Sequence, residues 1–225
     1  MGFLADTWVI AAKDLRIEAR TGEIVTTAGF FATLVAILTS VAFTSGTQTT
    51  TRIAPGAIWI SIAFSSILAL GRTWHREREE SALLGILVTP ISRASLFLGK
   101  AIGVFAFVTA VELVVVPVVA LLFHIELLDV AGPMLVILPL GTVGVAAAGT
   151  LFGAMTVRTR ARDLVLATVL FPLLTPTLIS GVAATREIFA GAPLGDVSDY
   201  LILLGTFDLV AVLGGLSLFG ALVDD

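Results

Sequence analysis

Few side chains of this 225-residue chain could do chemistry, and the most unusual are two acids and a histidine placed in long apolar stretches. Glu112 lies halfway along one such stretch, His124 ends it, and Asp208 lies early in another. A buried carboxylate must be paired, protonated or turned toward a polar interior, and a histidine can ligate a metal. Glu112, Asp208 and His124 are therefore candidate functional residues. Each also has a simpler interpretation, namely a hydrogen bond to a neighbouring helix, a packing contact or an ordinary interfacial position.

Motifs of catalysis are missing from the sequence. There is no cysteine, and the two histidines leave little for a metal site. Gly99-Lys100 is followed by Ala101, and position 94 is alanine, so the phosphate-binding P-loop is absent. No nucleophile elbow or zinc-protease motif occurs either. We expect no catalytic residue, no metal and no directly bound cofactor. Any ATP used by this protein must then be hydrolysed by another chain.

The elements that hold these residues are indicated by composition. Hydrophobic residues make up 57% of the chain and charged residues only 13%, which excludes a water-soluble globular domain. Apolar stretches of about 20 residues are long enough to cross a bilayer as helices. The sequence predicts an all-α integral membrane protein with one domain over 1–225. Its six predicted spans are 24–45, 53–71, 101–123, 132–157, 164–185 and 200–223.

Lysine and arginine are distributed unevenly between the two sides of these spans. Eleven of the 13 lie before the first span, between the second and third, or between the fourth and fifth. Only Arg52 and Arg186 lie on the other side. Positive charge marks the cytoplasmic side, so both termini are predicted to be cytoplasmic. Because the basic residues flank the spans, we do not expect nucleic-acid binding.

Two segments outside the spans have an amphipathic pattern. Residues 3–20 place apolar side chains on one helical face and cations on the other, which predicts an interfacial helix. That apolar face comprises Leu4, Trp8, Ala11, Leu15 and Ala19, and the cations are Lys13, Arg16 and Arg20. Residues 72–93 carry charges of both signs and then a short apolar run that Pro90 should end. That run needs either lipid or a groove on a partner to cover it.

The fifth span contains Pro172 and Pro176, which should kink or break its helix. Residues 178–199 then include Gly181, Gly191 and Pro193. This segment is compatible with a re-entrant element and equally with a simple outer loop.

One ordered set of residues resembles the cytochrome c maturation protein B family, CcmB, over nearly the whole chain. The set begins with Thr51-Arg52-Ile-Ala-Pro-Gly-Ala-Ile-Trp59 and continues through the charged segment 72–80 to Leu98-Gly99-Lys100. Its most specific residues are Arg52, Pro55, Gly56 and Trp59. The resemblance implies an ABC-2-type permease bundle in the bacterial inner membrane. It also implies that the chain is the membrane subunit of a haem exporter that serves cytochrome c biogenesis.

The resemblance also implies partners and a coupling site. An ATP-binding subunit, expected in two copies beneath two copies of this chain, would dock on region 72–93. The residues assigned to that role are Arg76, Glu77, Glu80, Leu83, Leu84 and Leu87. Further implied partners are other cytochrome c maturation membrane proteins and a periplasmic haem chaperone, with haem as a cargo of the system. Alternatives are a permease for a lipid, glycan or drug, and a membrane scaffold that transports nothing.

Overall fold

The computed structural model describes residues 2–43, 47–79, 85, 88–156 and 162–224. These residues form α-helices and one short 3-10 turn at Leu194–Val197, with no strand among them. The helices are α1 Phe3–Thr21, α2 Glu23–Ala42, α3 Thr47–Glu79, α4 Arg93–Leu122, α5 Leu127–Thr156, α6 Arg162–Phe189 and α7 Ser198–Asp224. The predicted all-α fold is confirmed.

Six stretches of these described helices are long and apolar enough to cross a membrane. They are Glu23–Ala42, Arg52–His75, Arg93–Leu122, Leu127–Met155, Thr168–Phe189 and Leu194–Val223, and each corresponds to one predicted span. The chain is a multi-pass membrane protein. We call the side on which most lysines and arginines flank the spans the basic face.

The first helix, α1, is only partly the surface helix that the sequence predicts. Leu4 and Trp8 are 76% and 62% exposed, which suits side chains that contact lipid. Ala11, predicted on the same lipid-facing stripe, is completely buried, because α1 packs its Ile10–Ala11–Asp14 side against α4. Lys13, on the predicted cationic face, contacts the acidic side chains of Asp14 and Glu77. Packing against α4 therefore buries part of the face that the sequence predicts to contact lipid.

A sharp turn connects α1 to α2 on the basic face. Gly22 adopts a left-handed conformation with φ of +61°, which glycine adopts without steric cost. The buried Glu18 carboxylate accepts a hydrogen bond of 2.8 Å from the backbone N–H of Val25, near the start of α2. A carboxylate at a helix N-terminus satisfies a free amide and complements the helix dipole. This contact fixes the direction of α1 relative to the first span.

Helix α5 lies at the centre of the bundle and contacts α3, α4, α6 and α7. Glycines on α5 provide the space for large side chains of α3, because a Cβ at any of them would collide with the facing residue. The pairs are Gly141 with Trp59, Gly149 with Leu70, and Gly153 with Trp74. Small residues that let helices approach closely are the usual means of packing in a bilayer. The most exposed spans are α2 and α7, whose outward apolar side chains suit lipid.

Helix α6 is continuous through Pro172 and Pro176, so the prolines do not break it, and the kink offered as the other outcome stays a prediction. Two hydroxyls of this helix bond back to carbonyls one turn earlier: Thr175 donates to the Phe171 carbonyl at 3.1 Å and Ser180 to the Pro176 carbonyl at 2.8 Å. Neighbouring helices make proline tolerable inside spans, and α6 packs against α3, α5 and α7. The helix continues to Phe189, and residues 190–197 connect it to α7. Most of segment 178–199 is thus the end of α6 and the short connection to α7, and the choice between a re-entrant element and an outer loop stays open.

Candidate functional site

The end of α3 leads into the predicted coupling region and places one of its residues in an unexpected environment. Arg76 and Glu77 lie in the last turns of α3, while Glu80, Leu83, Leu84 and Leu87 lie outside the described residues. Glu77 is 4% exposed and therefore points into the protein rather than toward a partner. The remaining assignments to the coupling site stay predictions.

Glu77 belongs to a charge cluster made of Lys13, Asp14, Glu77 and Lys100. The Lys13 ammonium lies 2.6 Å from Glu77 and 3.0 Å from Asp14. The Lys100 ammonium lies 2.7 Å from Asp14 and also contacts Glu77 directly. Each cation thus contacts both anions, so the four charges form a closed ring with no net charge. The ring joins α1, the end of α3 and the start of α4.

The local sequence explains why the ring closes. Gly99 allows α1 to approach α4, since a Cβ there would lie 2.8 Å from the carbonyl oxygen of Thr7. Lys100 follows immediately, is 1% exposed and ends between Asp14 and Glu77. Removing an ammonium from water costs several kcal/mol unless it is paired and hydrogen-bonded. Two carboxylates supply that pairing here.

Electrostatics within the cluster favours the charged forms. Burial alone would raise the pKa of Glu77, but the ammonium groups of Lys100 and Lys13 outweigh burial and leave it below its ordinary value. For Lys13, burial alone would lower the pKa, yet Asp14 and Glu77 raise it above its ordinary value. The acid and the base are therefore both ionised near neutral pH.

A second ion pair, which is exposed to solvent, joins the end of α3 to the start of α2. Arg72 contacts Glu23 at the start of α2. The two side chains are 42% and 47% exposed, so water screens their attraction. This pair provides a natural comparison for the buried ring, since both involve α3 on the basic face.

The two predicted intramembrane acids both lie against α5. Glu112, on α4, is buried and accepts a hydrogen bond from the hydroxyl of Thr142 on α5. Asp208, on α7, is buried against Gly144 of α5, where any Cβ would collide with its carboxylate. Because Thr142 and Gly144 are two residues apart, the two acids approach α5 at nearly the same depth. Their roles in a pathway stay predictions.

His124 has a clear structural role. It is exposed and adopts a φ of 54° directly after α4. The N–H of Ile125 then donates to the Ala120 carbonyl at 2.8 Å, which ends the helix in a Schellman-type turn. No group of three or more histidine, aspartate or glutamate side chains that could hold a metal occurs in the described part of the chain.

The residues that carry the family resemblance lie along the first half of α3. Arg52 is exposed, Pro55 is buried, and Gly56 has no atom near the position of an added Cβ. Trp59 is completely buried, and its indole N–H donates to the hydroxyl of Thr185 on α6 at 2.9 Å. Its ring fits between Gly141 and Gly181. Trp59 therefore joins α3, α5 and α6.

Comparison with known proteins agrees with this architecture. A family model described as CcmB protein matches residues 5–221. The chain belongs to the CcmB family. The Heme exporter protein B of Paracoccus denitrificans (strain Pd 1222) is 32% identical over 207 residues, covering 89% of this chain and 90% of that protein. Proteins of the same name from Bradyrhizobium diazoefficiens and Pseudomonas aeruginosa are 28% and 25% identical, with about 90% coverage on both sides. The resemblance that the sequence indicates is confirmed.

For this CcmB-family chain, sequence reasoning did not identify Asp14 and Lys100 as site residues. The sequence predicts Lys100 only as a basic residue beside a span and as a member of the set that carries the family resemblance. One signal was present in the sequence: Ile10, Asp14 and Glu18 recur every four residues, so two acids share a helical face with an apolar residue. Acids on an apolar face predict buried partners for their charge.

Proposed function

We propose that this protein is the permease subunit of an ABC transporter that acts in haem export, or in release of a haem chaperone, during cytochrome c biogenesis. Membership of the CcmB family supports the proposal, as do the relatives that bear the name Heme exporter protein B. A separate subunit binds and hydrolyses ATP, because this sequence has no P-loop. The complex lies in the bacterial inner membrane.

The basic face is the cytoplasmic side in this proposal, with both termini there. The excess of lysine and arginine around the loops of that face supports this orientation. Region 72–93 then faces the cytoplasm, where the ATP-binding subunits dock on it through Arg76, Glu80, Leu83, Leu84 and Leu87. Two ATP-binding subunits act beneath two copies of this chain.

The contacts at the end of α3 couple movement of the docked ATP-binding subunits to the helices of the bundle. An ATP-driven movement of the docked subunits is useful only if it changes contacts in the bundle between two states. The observation that carries the proposal is that the last turn of α3 is ion-paired to both α1 and α4. A displacement of region 72–93 is therefore transmitted to three helices on the cytoplasmic side.

Glu112 and Asp208, the two acids beside α5, are the candidates for the part of the bundle that responds to a displacement of region 72–93. Rearrangement of α4 or α7 relative to α5 would change the surroundings of Glu112 and Asp208, and His124 lies at the far end of α4. If haem crosses this subunit, these residues are polar groups that it would meet within the bundle. If the subunit instead moves a haem chaperone mechanically, they are groups whose surroundings change with the movement. Other cytochrome c maturation membrane proteins and a periplasmic haem chaperone receive the output.

Two measurements test the proposal. Deletion of the gene should abolish the bands of c-type cytochromes on a haem-stained gel, and a plasmid copy should restore them. Purification of the protein in native nanodiscs should recover an ATP-binding subunit, identified by mass spectrometry of the intact complex. Intact c-type cytochromes after deletion would exclude the haem function, and purification without any ATP-binding subunit would exclude the ABC assignment.

A further inference from the structure

The charge cluster is unusual because its ion pairs form a closed ring. Lys13 and Lys100 each contact both Asp14 and Glu77, so removing any member leaves two of the four contacts broken. Three helices supply the four residues: α1 supplies Lys13 and Asp14, α3 supplies Glu77 and α4 supplies Lys100.

A role in setting membrane topology does not account for this arrangement. A topogenic lysine ends in water or among lipid phosphates, whereas Lys100 is 1% exposed. Stability alone does not account for it either, because apolar residues of similar volume often replace buried ion pairs without loss. A ring of ion pairs differs from apolar packing because each pair fixes the distance between two particular atoms. It can therefore fix the relative position of the three helices.

The position of the ring decides what it can fix. Glu77 lies in the last turn of α3, inside region 72–93, and Lys100 lies about two turns into α4, seven residues after that region ends. The ring therefore links the end of α3, which lies within the region, to α1 and to the part of α4 that follows the region. Gly99 strengthens the arrangement by bringing the α1 and α4 backbones into contact beside it.

We propose that Lys13, Asp14 and Lys100 are positioning residues that hold Glu77, and through it the end of α3 within region 72–93, against α1 and α4, so that the three helices move as one body when the region is displaced. The inference rests on the proposed function for the origin of that displacement. The attachment of α1 itself is a property of the chain and can be measured without the transporter partners.

The first variants to compare are Glu77→Gln, which removes the central anion, and Arg72→Gln as the matched control. Arg72 lies on the same helix and also on the basic face of the membrane protein, but its pair with Glu23 is exposed. Lys13→Met is a milder third variant, because Lys13 is the most exposed member of the ring. If Glu77→Gln accumulates poorly in the membrane, Lys13→Met answers the same question.

The measurement of attachment is amide hydrogen exchange of residues 3–21, with the full-length protein in lipid nanodiscs. Exchange in this helix should increase about ten-fold in Glu77→Gln and less in Lys13→Met, because breaking the ring promotes local opening of α1. Arg72→Gln should leave it unchanged. Unchanged exchange in both ring variants would overturn the proposal.

The measurement of coupling uses the complex with the ATP-binding subunit and three readouts: subunit recovered, ATP hydrolysed and c-type cytochrome produced. In Glu77→Gln the first two should stay within about two-fold of the unmodified protein while cytochrome falls about ten-fold, a typical size for coupling between sites. A fall in cytochrome that only parallels loss of the bound subunit would assign the ring to docking and overturn the inference. If the unmodified protein recovers no ATP-binding subunit, the proposed function fails, while the exchange measurement still decides whether the ring holds α1.

Discussion

Replacement of Lys100 by methionine tests how far the charge cluster contributes to stability. Methionine keeps most of the length and volume of the lysine stem but removes the ammonium group. Two hydrogen bonds to ionised acids are lost, each of about 1.5–3 kcal/mol. Lys13 remains beside Asp14 and Glu77, but it is half-buried and lies at the rim of the cluster. Breaking a buried ion pair by removing one partner costs about 3–5 kcal/mol, and we expect a loss of free energy of unfolding in that range.

The assay is unfolding in mixed micelles with increasing dodecyl sulfate, followed by circular dichroism. A loss of about 3–5 kcal/mol corresponds to a decrease of roughly 10²- to 10⁴-fold in the folding equilibrium constant. Arg72→Gln serves as the control and should cost about 0–1 kcal/mol, because its ion pair is exposed. The double variant Lys100→Met/Glu77→Gln should recover part of the loss, since it also removes the acid left without its main partner.

The pH dependence of the same experiment has a defined sign. Glu77 has a lowered pKa, so its contribution is complete above its ordinary value of 4.5 and is lost as pH falls through the lowered pKa. Lys13 has a raised pKa, so its contribution is complete below its ordinary value of 10.5 and is lost as pH rises through the raised pKa. The cluster of the unmodified protein should therefore be stable from pH 5 to pH 9. In Lys100→Met, loss on acidification should begin at higher pH, because Glu77 no longer has its main cation.

The result that would refute this reasoning is a Lys100→Met protein that loses less than about 1 kcal/mol, like the exposed control. It would mean that water reaches the cluster or that the ammonium is not needed there. An acid transition at the same pH in both proteins would separately refute the assignment of Lys100 as the main cation beside Glu77.

Three further predictions use other contacts of the bundle. Gly99→Ala places a methyl group 2.8 Å from the Thr7 carbonyl oxygen and should cost about 1–3 kcal/mol in the same unfolding assay; Gly56→Ala, where no atom lies within 4 Å, should cost nothing. Trp59→Phe keeps most of the buried ring but loses the hydrogen bond to Thr185, so we expect a loss of about 1 kcal/mol, against about 3–5 kcal/mol for Trp59→Ala. Equal losses in these two variants would contradict the fit of the ring between its glycines. Glu112→Gln retains an acceptor for Thr142 and should insert and fold normally, yet reduce c-type cytochrome about ten-fold on a haem-stained gel; an unchanged cytochrome level would leave Glu112 a structural residue only.

Among the features that the sequence could not predict, the facing of α1 is the most instructive. Hydrophobic periodicity places Leu4, Trp8 and Ala11 on one side of a surface helix, and two of these three are exposed as expected. Periodicity cannot show that a helix is covered on two sides, because it reports one helix and contains no information on its neighbours. The approach of α4 at Gly99 buries Ala11 and Asp14 and turns a surface helix into part of the bundle.

The amino-acid sequence by itself determined the six spans, the side on which basic residues collect, the lack of a nucleotide-binding motif and the family. These properties depend on composition and order along the chain, since a bilayer forces any apolar stretch of sufficient length to form a helix. Only the tertiary structure decided that Lys100, Asp14 and Glu77 meet, that Trp59 lies between Gly141 and Gly181, and that α6 continues through its prolines. The first two outcomes depend on contacts between helices far apart in the chain, and the third depends on how α6 packs within the bundle.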